Sequence, residues 1–133
     1  MPDKPSLLIV DDDPLITDSL AYALGKDFTV MVSDSRVHAV NMVRRLDAPP
    51  QLALVDLGLP PLPHRPDEGF QLVADLVAHS PEMKILVLSG QNDAAHARHA
   101  RTLGATDFVA KPCNAESLKK LLLHALRFRA AEV

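Results

Sequence analysis

Residues 6–14 read "SLLIVDDDP", an apolar run that stops at three consecutive carboxylates and a proline. The run is apolar at successive positions rather than alternating, which is typical of a strand covered on both faces in a parallel sheet. Asp13 followed by Pro14 favours a helix start, because an Asp side chain caps free N–H groups and proline suits the first helical position. The stretch therefore predicts a buried strand that leads into a helix at an acidic edge.

Four further apolar runs repeat this pattern along the chain. They predict strands at 28–32, 52–56, 84–89 and 107–110, in addition to 6–10. The segments between them have helical period and predict helices from Pro14 to Gly25, from Ser35 to the prolines at 49–50, and over about 70–79, 94–103 and 115–129. Alternating strands and helices are typical of βαβ units, so we predict an α/β fold with a parallel sheet.

The composition describes one ordinary globular domain. The chain has 133 residues, of which 47% are apolar and 23% charged, and its net charge is −3. We expect a single domain over 1–133 with a core from about 6 to 127. A net negative charge does not favour binding to nucleic acid. No signal peptide or membrane span is evident in the sequence. A single cysteine, Cys113, cannot form an internal disulfide, so we expect a cytoplasmic setting.

The unusual polar residues follow the predicted strands. Asp11 and Asp12 follow the first, Asp56 ends the third, Ser89 ends the fourth, and Lys111 follows the fifth. In an open parallel sheet, ligands bind outside the carboxyl ends of the strands. We therefore expect these five side chains to share one site.

Clustered carboxylates need a cation, since like charges raise one another's pKa. Oxygen ligands suit a hard ion, and Mg²⁺ usually takes one or two carboxylates. The ammonium of Lys111 and the hydroxyl of Ser89 would accommodate further negative charge. Together these groups favour a phosphoryl group carried on an Asp and held by Mg²⁺, an ammonium and hydrogen bonds.

Four motifs in order, "IVDDDP", "LVDLGLP", "VLSG" and "GATDFVAKP", resemble the receiver domain of bacterial two-component response regulators. The resemblance extends from Ser6 to about Arg127. It implies a flavodoxin-like sheet of five parallel strands in the order 2-1-3-4-5, with helices on both faces. It also implies a signalling protein that catalyses only its own phosphorylation and dephosphorylation.

The resemblance assigns roles around the phosphoacceptor. Asp56 matches the residue that takes a phosphoryl group from a sensor histidine kinase or phosphotransfer protein. Asp11 and Asp12 match the acidic pair, with Asp12 as the direct Mg²⁺ ligand and Asp11 acting through water. The carbonyl of Gly58 would supply another ligand.

Three further positions match the family's switch. Lys111 matches the lysine that pairs with the phosphoacceptor, and Ser89 the hydroxyl that moves onto a phosphoryl oxygen. Phe108 matches an aromatic that turns inward as the hydroxyl moves, although a core aromatic without a switch is the alternative. The family also has a cis peptide at the position of Lys111–Pro112.

The output is predicted to use the surface formed by the fourth helix, the fifth strand and the fifth helix. That surface would control an output domain or partner in the regulation of transcription, and it would offer a homodimer contact. The motif "LSGQND" (88–93), together with the long connection at 58–69, resembles receivers of enhancer-binding transcription activators. The segment after about 127 is expected to be either the end of the last helix or the start of a linker.

The connection "GLPPLPHRPDEG" (58–69) departs from the family, because it is long and holds four prolines. We expect it to overhang the site and to affect how donors approach. Gly58 also removes a side chain that often screens the phosphate.

Two other functions stay open at this point. "LLIVDDD" also suits an aspartate-nucleophile phosphohydrolase, although such an enzyme needs paired acidic residues after its lysine, and Asp56 would be idle. A pseudo-receiver that binds partners without accepting phosphate is the other. His96 and His99 have spacing compatible with a metal but lack a third ligand, and Cys113 has no evident partner.

Overall fold

The computed structural model describes residues 4–90, 94–111 and 113–131 of the chain. Five strands form one parallel sheet in the order β2-β1-β3-β4-β5, which confirms the predicted topology. The strands are β1 (Ser6–Val10), β2 (Thr29–Ser33), β3 (Leu52–Asp56), β4 (Lys84–Ser89) and β5 (Asp107–Ala110). The helices are α1 (Pro14–Leu24), α2 (Arg36–Arg44), α3 (Asp67–His79), α4 (Ala94–Thr102) and α5 (Ala115–Ala131).

Helices cover both faces of the sheet, and each face has its own apolar cluster. Residues of α2, α3 and α4 pack on one face, where Val43, Leu76 and Ala100 are buried. Residues of α1 and α5 pack on the other face, where Leu24 and Leu122 are buried. The central strand β3 is buried at every position. Such double coverage explains why the strands are apolar without alternation.

Several element boundaries differ from the sequence prediction. Helix α2 ends at Arg44 rather than just before the prolines at 49–50, because the N–H of Arg45 donates to the carbonyl of Met42 at 3.2 Å in a tighter turn. Strand β2 begins at Thr29 rather than Phe28, because the N–H of Phe28 donates to the carbonyl of Leu24 at 3.0 Å and so belongs to the turn that ends α1. Helix α3 begins at Asp67, three residues before the predicted start at Phe70. Acidic residues in its first turn suit the positive end of the helix dipole.

Gly69 allows α3 to approach the end of β3 closely. A Cβ at this position would lie 2.3 Å from Cα of Leu57, closer than any side chain tolerates. The N–H of Gly69 donates to the carbonyl of Leu57 at 3.2 Å. The connection after Asp56 therefore leaves the sheet, forms a loop and returns to pack against its own beginning.

Arg36, the first residue of α2, joins α2 to α3. Its guanidinium donates to Glu68, and it donates to Asp75 at 3.2 Å. Both carboxylates raise the pKa of Arg36, with the Glu68 hydrogen bond as the largest cause. This bridge could not be predicted from the sequence, because Glu68 and Asp75 lie more than 30 residues from Arg36 along the chain.

Helix α4 is anchored less firmly than α3. Ala100 is its buried residue, whereas α3 buries Leu72, Val73 and Leu76. Small side chains remove little apolar area from water, so burial stabilises α4 weakly. This agrees with the sequence prediction, except that Ala97 is only half-buried. Within the described residues, none of the helices has the length and apolar character needed to cross a membrane.

Candidate functional site

The carboxyl ends of the strands border a cavity of about 300 Å³. All five polar side chains predicted to share a site line it: Asp11, Asp12, Asp56, Ser89 and Lys111. They meet because parallel strands place their carboxyl ends at one edge of the sheet. Gly58 lines the same cavity, two residues beyond the end of β3.

Three carboxylates face one another in this cavity. Asp11, Asp12 and Asp56 each offer an oxygen within 4.8 Å of the others. Asp11 is 3% exposed and Asp56 8% exposed, whereas Asp12 is the most exposed of the three. Among the described residues, this is the group with the donor set of a metal site.

Lys111 lies between two of these carboxylates. Its Nζ atom lies 3.0 Å from Oδ2 of Asp11 and 3.3 Å from Oδ1 of Asp56. Its backbone N–H donates to the carbonyl of Ser89 at 2.8 Å, which fixes the end of β5 beside the end of β4. Although burial opposes the charged form, the carboxylates of Asp56 and Asp11 outweigh it and raise the pKa of Lys111.

The environment of Asp56 disfavours the ionised form of its carboxyl group. Burial and the charge of Asp11 raise its pKa to about 6, while Lys111 and a hydrogen bond from the backbone of Gly58 act in the opposite direction. Burial and Asp11 also raise the pKa of Asp12. One ammonium therefore does not balance the carboxylates of the cavity.

These residues fit a magnesium ion by their chemistry. Magnesium prefers carboxylate oxygen, keeps several waters and would relieve the repulsion that raises the pKa of Asp56. Both oxygens of Asp11 already accept hydrogen bonds, from Lys111 and from the N–H of Asp13 at 3.0 Å. Asp11 is thus held by the protein on both oxygens, and Oδ1 of Asp56 is held by Lys111, whereas Asp12 is the most exposed of the three carboxylates.

Asp13 has a different task from its two neighbours. Its side chain accepts a hydrogen bond from the N–H of Leu15 at 3.0 Å and caps α1, with Pro14 in the first helical position. The N–H of Asp11 donates to the carbonyl of Ser33 at 3.1 Å, which extends the pairing of β1 with β2 by one residue. All three aspartates border the cavity, but Asp13 differs from Asp11 and Asp12 because its carboxylate caps α1.

The predicted switch residues lie at different depths. Ser89 is 4% exposed at the end of β4, on the cavity wall. Phe108 is half-buried against the cluster under α2, α3 and α4, and it is not among the residues that line the cavity. The predicted cis peptide at Lys111–Pro112 and residues 91–93 of the "LSGQND" motif lie outside the described residues.

The long connection forms another wall of the cavity, contributed by Pro63, His64, Arg65 and Pro66. Its backbone lies over Gly58, where an added Cβ would come within 2.2 Å of the carbonyl oxygen of Pro63. The backbone of this connection therefore occupies the space beside Gly58. The overhang agrees with the sequence prediction, whereas the two basic side chains that it brings to the cavity, His64 and Arg65, were not predicted. Their position in the loop that directly follows Asp56 was the sequence feature that could have indicated their place beside the site.

The remaining candidates lie outside the cavity. The rings of His96 and His99 lie edge-on to Phe70, with centroids 5.7 Å and 4.5 Å from it. Neither belongs to a group of three metal-binding side chains within the described part of the chain. Cys113 is half-buried and has no disulfide partner.

Comparisons with known proteins agree with this architecture. A family described as "Response regulator receiver domain" matches residues 7–123. RegA, a photosynthetic apparatus regulatory protein of Rhodovulum sulfidophilum, is 36% identical over 121 residues, which cover 91% of this chain and 63% of RegA. The chain belongs to the response regulator receiver family.

Solved structures show the same fold. A CheY-like receiver domain protein of Methanospirillum hungatei has a TM-score of 0.87 at 24% identity, covering 98% of this chain and 100% of that one. A response regulator of Burkholderia pseudomallei, solved with a phosphorylated aspartic acid, calcium and citrate, has a TM-score of 0.79 at 30% identity. That alignment covers 98% of this chain and 74% of the other. The chain spans less than two thirds of the length of the curated relatives that it matches.

Proposed function

We propose that the chain is a signalling receiver in which Asp56 accepts a phosphoryl group from a phosphohistidine. The donor would be a sensor histidine kinase or a phosphotransfer protein. One observation carries the proposal: the carboxylate of Asp56 shares a cavity with two further carboxylates and lies 3.3 Å from the ammonium of Lys111. The phosphorylated aspartic acid of the Burkholderia protein supports it by likeness.

In the proposed reaction, a carboxylate oxygen of Asp56 attacks phosphorus while the phosphorus–nitrogen bond of the donor breaks. Lys111 holds the carboxylate in place and offsets negative charge on the transferring group. Magnesium, held by Asp12, Asp56 and the Gly58 carbonyl, with Asp11 through water, would supply further charge neutralisation.

The phosphorylated state would favour a second conformation of the output surface, which is formed by α4, β5 and α5. The hydroxyl of Ser89 would contact a phosphoryl oxygen, and Phe108 would turn inward beside α4. The weak anchoring of α4 supports this, because an element with few buried contacts is easily shifted between two positions. A homodimer or an output domain would use the same surface.

The wider setting follows from the same proposal. We assign one receiver domain to 1–133, working in the cytoplasm, without direct contact to DNA or a membrane. RegA is named as a regulatory protein. Control of transcription through a partner or a further domain is therefore the proposed output.

Intact-mass analysis tests the proposal. Protein incubated with acetyl phosphate and Mg²⁺ should gain one phosphoryl mass that survives acid and is lost in base, and Asp56→Asn should gain none. An absence of adduct on folded wild-type protein would favour a pseudo-receiver. Turnover of a phosphate ester that persists in Asp56→Asn would favour a phosphohydrolase.

A further inference from the structure

The cavity wall formed by residues 63–66 brings a second strong cation to the site. Arg65 lines the cavity, and its Nη2 atom pairs with Oδ2 of Asp67 at 3.2 Å. Both side chains of this pair are more than half exposed. Ion pairs of this kind contribute little to stability, so Arg65 can exchange its partner at small cost.

Packing and backbone hydrogen bonds hold the loop that carries Arg65 in place. Leu59 is fully buried, and the carbonyl of Pro63 lies against Gly58. The N–H of Arg65 donates to the carbonyl of Leu62 at 3.0 Å, and the N–H of Gly69 closes the loop on Leu57. These contacts hold the backbone of the loop beside the cavity that the Arg65 side chain lines.

Phosphorylation would add negative charge to the cavity, which a second cation would offset. Lys111 already contacts both Asp11 and Asp56. A phosphoryl group on Asp56 would bring more negative charge to the cavity, and the single ammonium of Lys111 would have to offset it together with the charge of Asp11. Arginine presents a planar fork of donors that matches phosphoryl oxygens in two hydrogen bonds. Among the described residues, the basic side chains that line the cavity are Lys111, His64 and Arg65.

We propose that Arg65 is a phosphoryl-binding residue, which leaves Asp67 and contacts the oxygens of the group carried on Asp56. This rests on the proposed function, since it requires a phosphoryl group at Asp56. It gives the long connection a role: the loop supplies a second cation over the cavity.

Beryllium trifluoride, a stable phosphoryl mimic, provides an equilibrium test. Binding to the 133-residue protein with Mg²⁺ would be followed by ¹⁹F NMR, and Mg²⁺ affinity alone by calorimetry. Arg65→Gln should weaken beryllofluoride binding about three- to tenfold, as expected for loss of a partly exposed charge-assisted contact. Asp67→Asn should tighten it, because Arg65 loses its competing partner. Mg²⁺ affinity should stay within about twofold in both variants, since Arg65 is not a metal ligand.

Controls separate this inference from its alternatives. Arg45→Gln, an exposed arginine next to the end of α2, should bind like wild type. Equal binding by Arg65→Gln and Arg45→Gln would overturn the inference, and so would a loss seen only in His64→Gln. Equal losses of Mg²⁺ and beryllofluoride affinity in Arg65→Gln, or weaker binding in Asp67→Asn, would point to a structural role and overturn it. If wild-type protein forms no Mg²⁺-dependent adduct, the proposed function itself fails.

Discussion

The ammonium nitrogen of Lys111 lies 3.3 Å from Oδ1 of Asp56. Lys111 also contacts Asp11, so one cation separates two buried carboxylates. Replacing Lys111 with Met should lower the free energy of unfolding by about 1–3 kcal/mol at pH 7 without metal, because the carboxylates lose their partner. Urea denaturation measures this change.

Lys119→Met is the matched control for that substitution. Lys119 pairs with Asp27 at 3.2 Å on the surface, where both side chains are about one third exposed. Its loss should cost less than about 1 kcal/mol. Equal effects of the two variants would contradict the importance assigned to the buried arrangement.

Asp56 should destabilise the metal-free protein at neutral pH. Burial and the charge of Asp11 raise its pKa from 3.8 to about 6. The carboxyl group of Asp56 therefore binds a proton more tightly in the folded protein than in the unfolded chain. Stability from the protonated carboxyl is present below 3.8 and is lost as the pH rises through about 6. Asp56→Asn should therefore raise the free energy of unfolding by about 1–3 kcal/mol at pH 7.

The pH dependence distinguishes this cause from a general packing effect. The advantage of Asp56→Asn should shrink as the pH falls from 7 toward 3.8, and a pH series of urea denaturations in EDTA measures it. A constant advantage across that range would show that ionisation of Asp56 is not the source. Added Mg²⁺ should stabilise wild type more than the variant, because the ion relieves the same repulsion.

Asp12 and Asp13 should respond differently to substitution, although they are neighbours. Asp13 caps α1 through Leu15, and Ser is an equally good cap, so Asp13→Ser should change phosphorylation by acetyl phosphate very little. Asp12→Ala should abolish Mg²⁺ binding and phosphorylation together. Calorimetry with Mg²⁺ and intact mass provide the measurements, and equal losses in both variants would contradict the division of the triplet.

Gly58→Ala should displace the loop over the cavity. The new methyl group would lie 2.2 Å from the carbonyl of Pro63, so either the loop moves or stability falls by about 1–3 kcal/mol. Gly90→Ala is the control, because a Cβ there meets no atom within 4 Å. Thermal unfolding compares the two variants, and equal melting temperatures with an unchanged loop would refute the close approach.

The sheet was predictable from the sequence because each strand is a short apolar run that ends at a polar residue. The predicted element boundaries were wrong where a backbone hydrogen bond sets the boundary, as at Phe28, whose N–H closes the turn after α1. The acidic cluster and Lys111 were predictable because parallel strands place their ends together. The contacts of Arg36 and the position of Arg65 were not, since they depend on how a loop folds back in space.

Reductive trapping identifies which residue carries the phosphoryl group and therefore tests the assignment of Asp56 directly. Borohydride converts an aspartyl phosphate to homoserine, and tandem mass spectrometry then identifies the modified position. After treatment with acetyl phosphate and Mg²⁺, we expect homoserine at position 56 alone, and none in EDTA. Homoserine at position 11 or 12 instead, or none at any position in folded protein, would contradict the assignment of Asp56 as the phosphoacceptor.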